Sequence, residues 1–237
     1  MGFLNTVLGR SMLGREGEPT PPPVEIRDTL FGDMPINSWT GNGSASQEFP
    51  WSAFVLGRAR MKMGDRESAI KNWREVINHP GLEPRHYLQA WNFLRAAGVQ
   101  PPPEIAKKLL GVVVEVGMPK GLDIIAAYPD YSARYYNYSG SSVIWEHPDN
   151  SMNGHIDALL AVSEGVVAQI GPWDQARPPA PATDHIRLSF LTPSGLHFGQ
   201  AHLDVMSKEP RGADVLNLAA GLMNALIDRA LAARKSN

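Results

Sequence analysis

The chain has 237 residues, 43% of them hydrophobic, enough to bury a sizeable core in one large or two small domains without covalent staples. It contains no cysteine, which excludes disulfides, thiolate zinc sites, iron–sulfur ligation and cysteine nucleophiles, and suits a reducing compartment. With 22 basic and 24 acidic residues the net charge is −2, and nothing in that balance points to nucleic acid as a partner.

No uninterrupted apolar run reaches the roughly 18–20 residues that span a bilayer. The opening MGFLNTVLGRSMLGREGE lacks the parts of a secretory signal, so the expected location is the cytoplasm. Phe3, Leu4, Val7, Leu8 and Met12 fall on one side of a helix, suited to docking on a partner or a membrane surface. MGFLNT also fits the loose N-myristoylation pattern, and a frayed or self-docked terminus is the simpler account. EGEPTPPPVE reads as an extended spacer, because proline fixes φ and biases the residue before it away from helix. From Ile26 to Pro50 the apolar residues show no sustained period and end in a Gly/Asn/Ser-rich loop, which predicts a wrapping segment tacked down by Leu30, Phe31, Met34 and Trp39. Residues 1–47 thus form an N-terminal extension.

Residues 48–103 carry helical patterns, two of them broken at Gly64-Asp65 and a third starting near Pro84. Within 51–97, Leu56-Gly57, Gly64, Ala69, Trp73 and His79-Pro80 stand where the tetratricopeptide repeat has its Leu-Gly pair, helix turn, close-packing alanine, second-helix aromatic and terminating proline. The segment resembles about one such repeat plus the first helix of the next. It departs at Arg60, where the repeat has an aromatic residue, and at Val76, where it has alanine. The resemblance implies a protein-interaction role. Because such arrays need about three repeats to bury a core, the hairpin is expected to pack on the rest of the chain.

GVQPPPE marks a boundary, after which residues 104–237 read as an α+β domain. GVVVEVGM suits a strand buried on both faces, and LDIIAAY, SARYYNY and SSVIWE complete an antiparallel meander. A helix over NGHIDALLAVSEGVVAQIGP, a hairpin over HIRLSFLTPSGLHFGQAHL and a final helix from about Gly212 to Arg234 follow. The expected fold is therefore α+β: an N-terminal helical hairpin region, then an antiparallel sheet of about six strands with two helices on one face. The element order resembles small α+β domains of the profilin and roadblock type, and a helical hairpin ahead of such a domain resembles bacterial proteins; neither resemblance names an activity.

The sequence has no Walker loop, Rossmann fingerprint, HExxH or GxSxG elbow, so no cofactor, metal or catalytic residue is assigned. His197 and His202, being an odd number of strand positions apart, are expected to face opposite ways, which argues against a shared metal. Glu146-His147 with Asp149, and Asp184-His185, read as polar groups at strand ends rather than acid–base pairs. Glu115 and Asp123 each interrupt an apolar strand; an interior carboxylate must be paired or perturbed, and exposure at a sheet edge is the simpler expectation.

The partner-binding candidates lie in two places. Arg85, His86 and Gln89, with Asn92, share the third helix, where they either grip a peptide or form a solvated face. In YSARYYNYSGSSVIWEH a two-residue Ser139-Gly140 turn places Arg134 opposite Trp145 and Tyr136 opposite Val143, gathering Arg134, Tyr136, Tyr138 and Trp145 on one face. That face is either core or an open aromatic platform with Arg134 over Trp145. The leading expectation is a cytoplasmic interaction or adaptor protein whose partner is another protein. The alternative is an enzyme or small-ligand-binding protein with its site in the cleft between the helical region and the α+β domain.

Overall fold

GVVVEVGM forms β1 (Gly111–Met118), and all eight of its residues are buried. The computed structural model describes residues 23–40 and 47–235, so the helix and N-myristoylation pattern read from residues 1–22 lie outside the described residues. β2 (Gly121–Ala127), β3 (Ala133–Tyr136) and β4 (Ser142–Trp145) continue the meander. β5 (His185–Thr192) returns to pair with the free edge of β1, and β6 (Gly195–His202) follows through a two-residue turn at Pro193-Ser194. The six-stranded order is β4-β3-β2-β1-β5-β6, antiparallel throughout, and the fold class is α+β.

Helices α1 (Pro23–Phe31), α2 (Trp51–Lys62), α3 (Arg66–Asn78), α4 (Pro84–Ala96) and the short α5 (Pro103–Ala106) precede the sheet. Helices α6 (Asn153–Val167), α7 (Leu203–Met206) and α8 (Pro210–Lys235) follow the meander and the last hairpin. The pleat of β1 divides its side chains between two cores. Val112, Val114 and Val116 point into one with Ile125, Tyr135, Ile156, Leu222 and Leu226, so α6 and α8 cover that face. Val113 points the other way, with Leu122, Ile124, Tyr128 and Leu191, into a core shared with Leu30 of α1, Trp73 of α3 and Trp91 and Leu94 of α4. α8 is long and apolar enough to span a bilayer by composition, but Val215, Leu222 and Leu226 of its stripe are fully buried against the sheet, the packing of a core helix.

The opening of α1 corrects the sequence expectation. Pro23 begins a helix instead of extending the spacer, because a proline at the first helical position gives up an amide that would be unpaired there anyway. The segment behind it does pack down as expected: Leu30 and Phe31 are buried, and the Trp39 ring lies 4.7 Å from that of Phe54. In the helical hairpin, a side chain at Gly57 would run into the Trp73 indole, with the added Cβ 2.2 Å from Nε1, so glycine is what lets α2 and α3 close on each other. Asp65 caps α3 by accepting from the Ser68 amide at 3.1 Å. Because one apolar cluster spans α3, α4 and the sheet, residues 48–103 expressed alone are expected to lack a cooperative melt. Circular dichroism and calorimetry on that fragment check this; a sharp, independent transition overturns it.

Glu115 and Asp123 are not at an edge, since β1 and β2 are interior strands of the sheet. Glu115 is fully buried between Arg27 of α1, whose Nε is 2.5 Å away, and Arg187 of β5 at 3.3 Å. Asp123, 3% exposed, accepts from the Tyr138 amide at 2.7 Å and the Tyr135 hydroxyl at 3.2 Å. Burial pushes its carboxyl up to about 6, against the pull of those two donors.

A carboxyl raised in the folded state binds its proton more tightly there than in the unfolded chain. Its contribution to stability is therefore complete below about pH 4 and is lost as pH climbs through about 6. Asp123→Asn, which copies the protonated form, is expected to remove that decline and to be more stable than the parent at pH 7 by an amount on the order of 3 kcal/mol. Urea titrations of both proteins from pH 4 to 8 read the effect; parallel curves would sink it.

Candidate functional site

The β3–β4 connection sets the fate of the aromatic stretch. Asn137 donates its amide to the Ser141 carbonyl at 2.8 Å, leaving a three-residue loop, Tyr138 to Gly140, in place of the two-residue turn. Gly140 supplies the left-handed residue at φ +91°, and the Asn137 side chain accepts from the Ser139 amide at 2.6 Å. One extra loop residue slips the register by one, and a one-residue slip exchanges the faces of a strand.

The pairs are accordingly Tyr136 with Ser142, Tyr135 with Val143, Arg134 with Ile144 and Ala133 with Trp145. Trp145 joins Tyr135 under α6 and α8, while Tyr136 lies under the helical layer. Arg134 does not stack on Trp145. It is buried, donates to the Trp145 carbonyl at 3.0 Å and pairs with Glu146 at 2.6 Å. Tyr138 alone of the four is substantially exposed. The single aromatic platform is thus not formed.

The helix candidates also part company. Gln89 is buried and braces the wrapping segment, its side chain exchanging two 3.0 Å hydrogen bonds with the backbone of Met34. Arg85 pairs with Glu83 and lies over the Tyr128 ring, and His86 packs edge-on against Trp51. Burial lowers the pKa of His86, opposed by Glu83. Arg85 and Arg134 both act electrostatically on Tyr136, so these three candidates share one region of the sheet.

Two of the remaining histidines meet across a strand pair and a third stands apart from them. His185 faces His202 across β5–β6, ring centres 5.5 Å apart, while His197 pairs with Phe190. Among the described residues, no group of three His, Asp or Glu side chains is placed to hold a metal.

A concavity lies elsewhere among the described residues. A cleft of about 620 Å³ opens between the C-terminal half of α4, the start of the wrapping segment, the 172–177 connection and the β5–β6 turn. Phe31, Leu88, Leu191 and Leu196 give it apolar walls; Asp33, Asn92, Arg95, Gln100, Asp174, Arg177, Thr192 and Ser194 give it polar ones. The walls are held by contacts among their own residues. Arg177 pairs with Asp28 and with Asp33 at 2.6 Å and sits 4.5 Å from the centre of the Phe31 ring, tying the 172–177 connection to α1. Burial raises the pKa of Asp33, against the pull of Arg177. Trp173 is anchored by its amide to the Leu196 carbonyl at 2.6 Å and by its indole N–H to the Ala176 carbonyl at 3.1 Å.

Two groups in this cleft carry chemistry. Arg95, in the last turn of α4, donates to the Pro193 carbonyl at 2.7 Å and makes no ion pair with a described residue. Burial pulls its pKa down to about 10, partly opposed by Asp33. Ser194 Oγ lies 3.2 Å from His197 Nε2 and 2.9 Å from the Thr192 hydroxyl. Burial holds His197 toward the neutral form, so it can accept from Ser194. No described carboxylate hydrogen-bonds that imidazole, and the trio closes the β5–β6 turn. Sequence reasoning missed Arg95; its only sequence signal is a basic residue near a helix end, which many helices share.

No family model, curated protein or solved structure matches this chain.

Proposed function

We propose that this is a ligand-binding protein whose site is the cleft between the helical layer and the β5–β6 turn. The observation that carries the reading is the cleft's construction. Its volume, about 620 Å³, falls in the range of small-molecule sites, and its apolar walls and polar groups are fixed by hydrogen bonds and ion pairs among the lining residues. The test is a fragment screen followed by hydrogen exchange on the full chain. Binders are expected to protect the C-terminal turn of α4, residues 172–177 and the β5–β6 turn together. Protection confined to other surfaces overturns it.

One observation favours a second reading, an interaction or adaptor role for the helical hairpin. Leu56 and Met63 on and just after α2 are 53% and 68% exposed. A partner seated there would be lost on changing both residues to lysine, with stability unchanged; cross-linking in the native host reads the difference.

A further inference from the structure

We propose that the cleft recognises a single carboxylate carried on an aromatic or apolar body, with Arg95 as its charge partner and Trp173 as its packing surface. This rests on the binding reading above and names the chemistry of its ligand.

The argument begins with unequal pairing of the two arginines in the cleft. Arg177 spends its donors on Asp28 and Asp33, carboxylates of α1 and the turn after it. Arg95 donates only Nη1, to Pro193, which leaves the rest of its planar fork without a carboxylate partner among the described residues. A desolvated guanidinium of this kind is stabilised most by a planar anion that accepts two parallel N–H bonds.

The acidic groups around Arg95 limit the charge of the ligand. Asp33 acts on Arg95 through space while its oxygens are held by Arg177, and Asp174 stands on the exposed rim. With these two carboxylates nearby, a second negative charge on the ligand meets repulsion, which favours one carboxylate over a phosphate dianion. The body of the ligand is set by Trp173, which lines the same cleft. Trp173 is 38% exposed, and its ring stands edge-on to that of Phe198 with centroids 5.3 Å apart and is locked by its N–H bond, so it offers a fixed aromatic face.

The full chain labelled with 5-fluorotryptophan provides the test, the Trp173 resonance being assigned from Trp173→Phe. Probes are 3-phenylpropionate, its methyl ester, phenyl phosphate, and a hydrophobic pentapeptide with a free or an amidated C-terminus. The free acid is expected to shift the Trp173 resonance saturably. The ester and phenyl phosphate should bind at least about 10-fold more weakly, and Arg95→Gln should weaken the acid by about 10- to 100-fold. Tighter binding of the free-C-terminus peptide assigns the carboxylate to a chain end; tighter binding of the small acid assigns it to a free metabolite.

Equal binding of acid and ester, or an unchanged affinity in Arg95→Gln, overturns the carboxylate proposal and leaves the cleft as a site for neutral ligands. If neither these probes nor neutral fragments move Trp173, the binding reading itself falls. The comparison of acid with ester uses the unaltered protein and stands even if Arg95→Gln folds poorly.

Discussion

Replacing Glu115 by alanine is expected to cost about 3–5 kcal/mol of unfolding free energy, because it strands two guanidinium groups in the interior. Glu115 is fully buried in β1 and is the carboxylate shared by Arg27 and Arg187. Both arginines also donate to the Pro178 carbonyl, at 3.1 and 3.2 Å, and Arg187 reaches Gln200 at 2.9 Å. Those neutral acceptors satisfy single N–H groups and cannot balance two charges. The loss is expected to be insensitive to salt, since buried pairs are poorly screened. Exchanging Arg27, Glu115 and Arg187 together for apolar residues of similar volume should cost less than Glu115→Ala alone, because the uncompensated charge then disappears with its partners. Chemical denaturation of the single and triple variants decides it; a single variant within about 1 kcal/mol of the parent rules out the buried triad as a structural joint.

The same joint explains why the start of the fold was hard to read. α1 spans nine residues, too few to persist alone in water, and its helical state depends on the sheet beneath it. Its anchors, Arg27 to Glu115 and Tyr128 to the Leu30 carbonyl at 2.7 Å, join residues 88 and 98 positions apart, which no local pattern announces. β1 lay at the other extreme. An unbroken valine run between glycine and methionine specifies a two-sided strand by itself, and its bounds match. The carboxylate inside that run was a sign of buried partners, but placing it at an edge or in the interior required the strand order, and the order turns on β5 crossing back to β1.

The cleft was legible only as a location. Its lining comes from four separated stretches, 31–33, 88–100, 172–177 and 191–196, none with a motif of its own. Two of them, the wrapping segment and the proline-rich crossover, lack periodicity. What brings them together is the Arg177 bridge to Asp28 and Asp33, a contact across more than 140 positions of sequence. A cleft assembled this way is visible in the fold and silent in the chain.

Alanine at Trp145 and alanine at Tyr136 are each expected to lower stability by about 3–5 kcal/mol, and to do so on opposite sides of the sheet. Both rings are 5% exposed, so a surface role for either is excluded by burial, and each removal leaves a cavity that neighbours fill only in part. Trp145 belongs to the core beneath α6 and α8, Tyr136 to the core beneath α1 and α4. Native-state hydrogen exchange separates the two cavities: Trp145→Ala should speed exchange first in α6 and α8, and Tyr136→Ala first in α1 and α4. This polarity follows from the three-residue loop closed by Asn137 and Ser141, because a two-residue turn would put both rings on one face and loosen one set of helices in both variants. Matching exchange patterns would therefore overturn the register, and a loss below about 1 kcal/mol for either ring would overturn its burial.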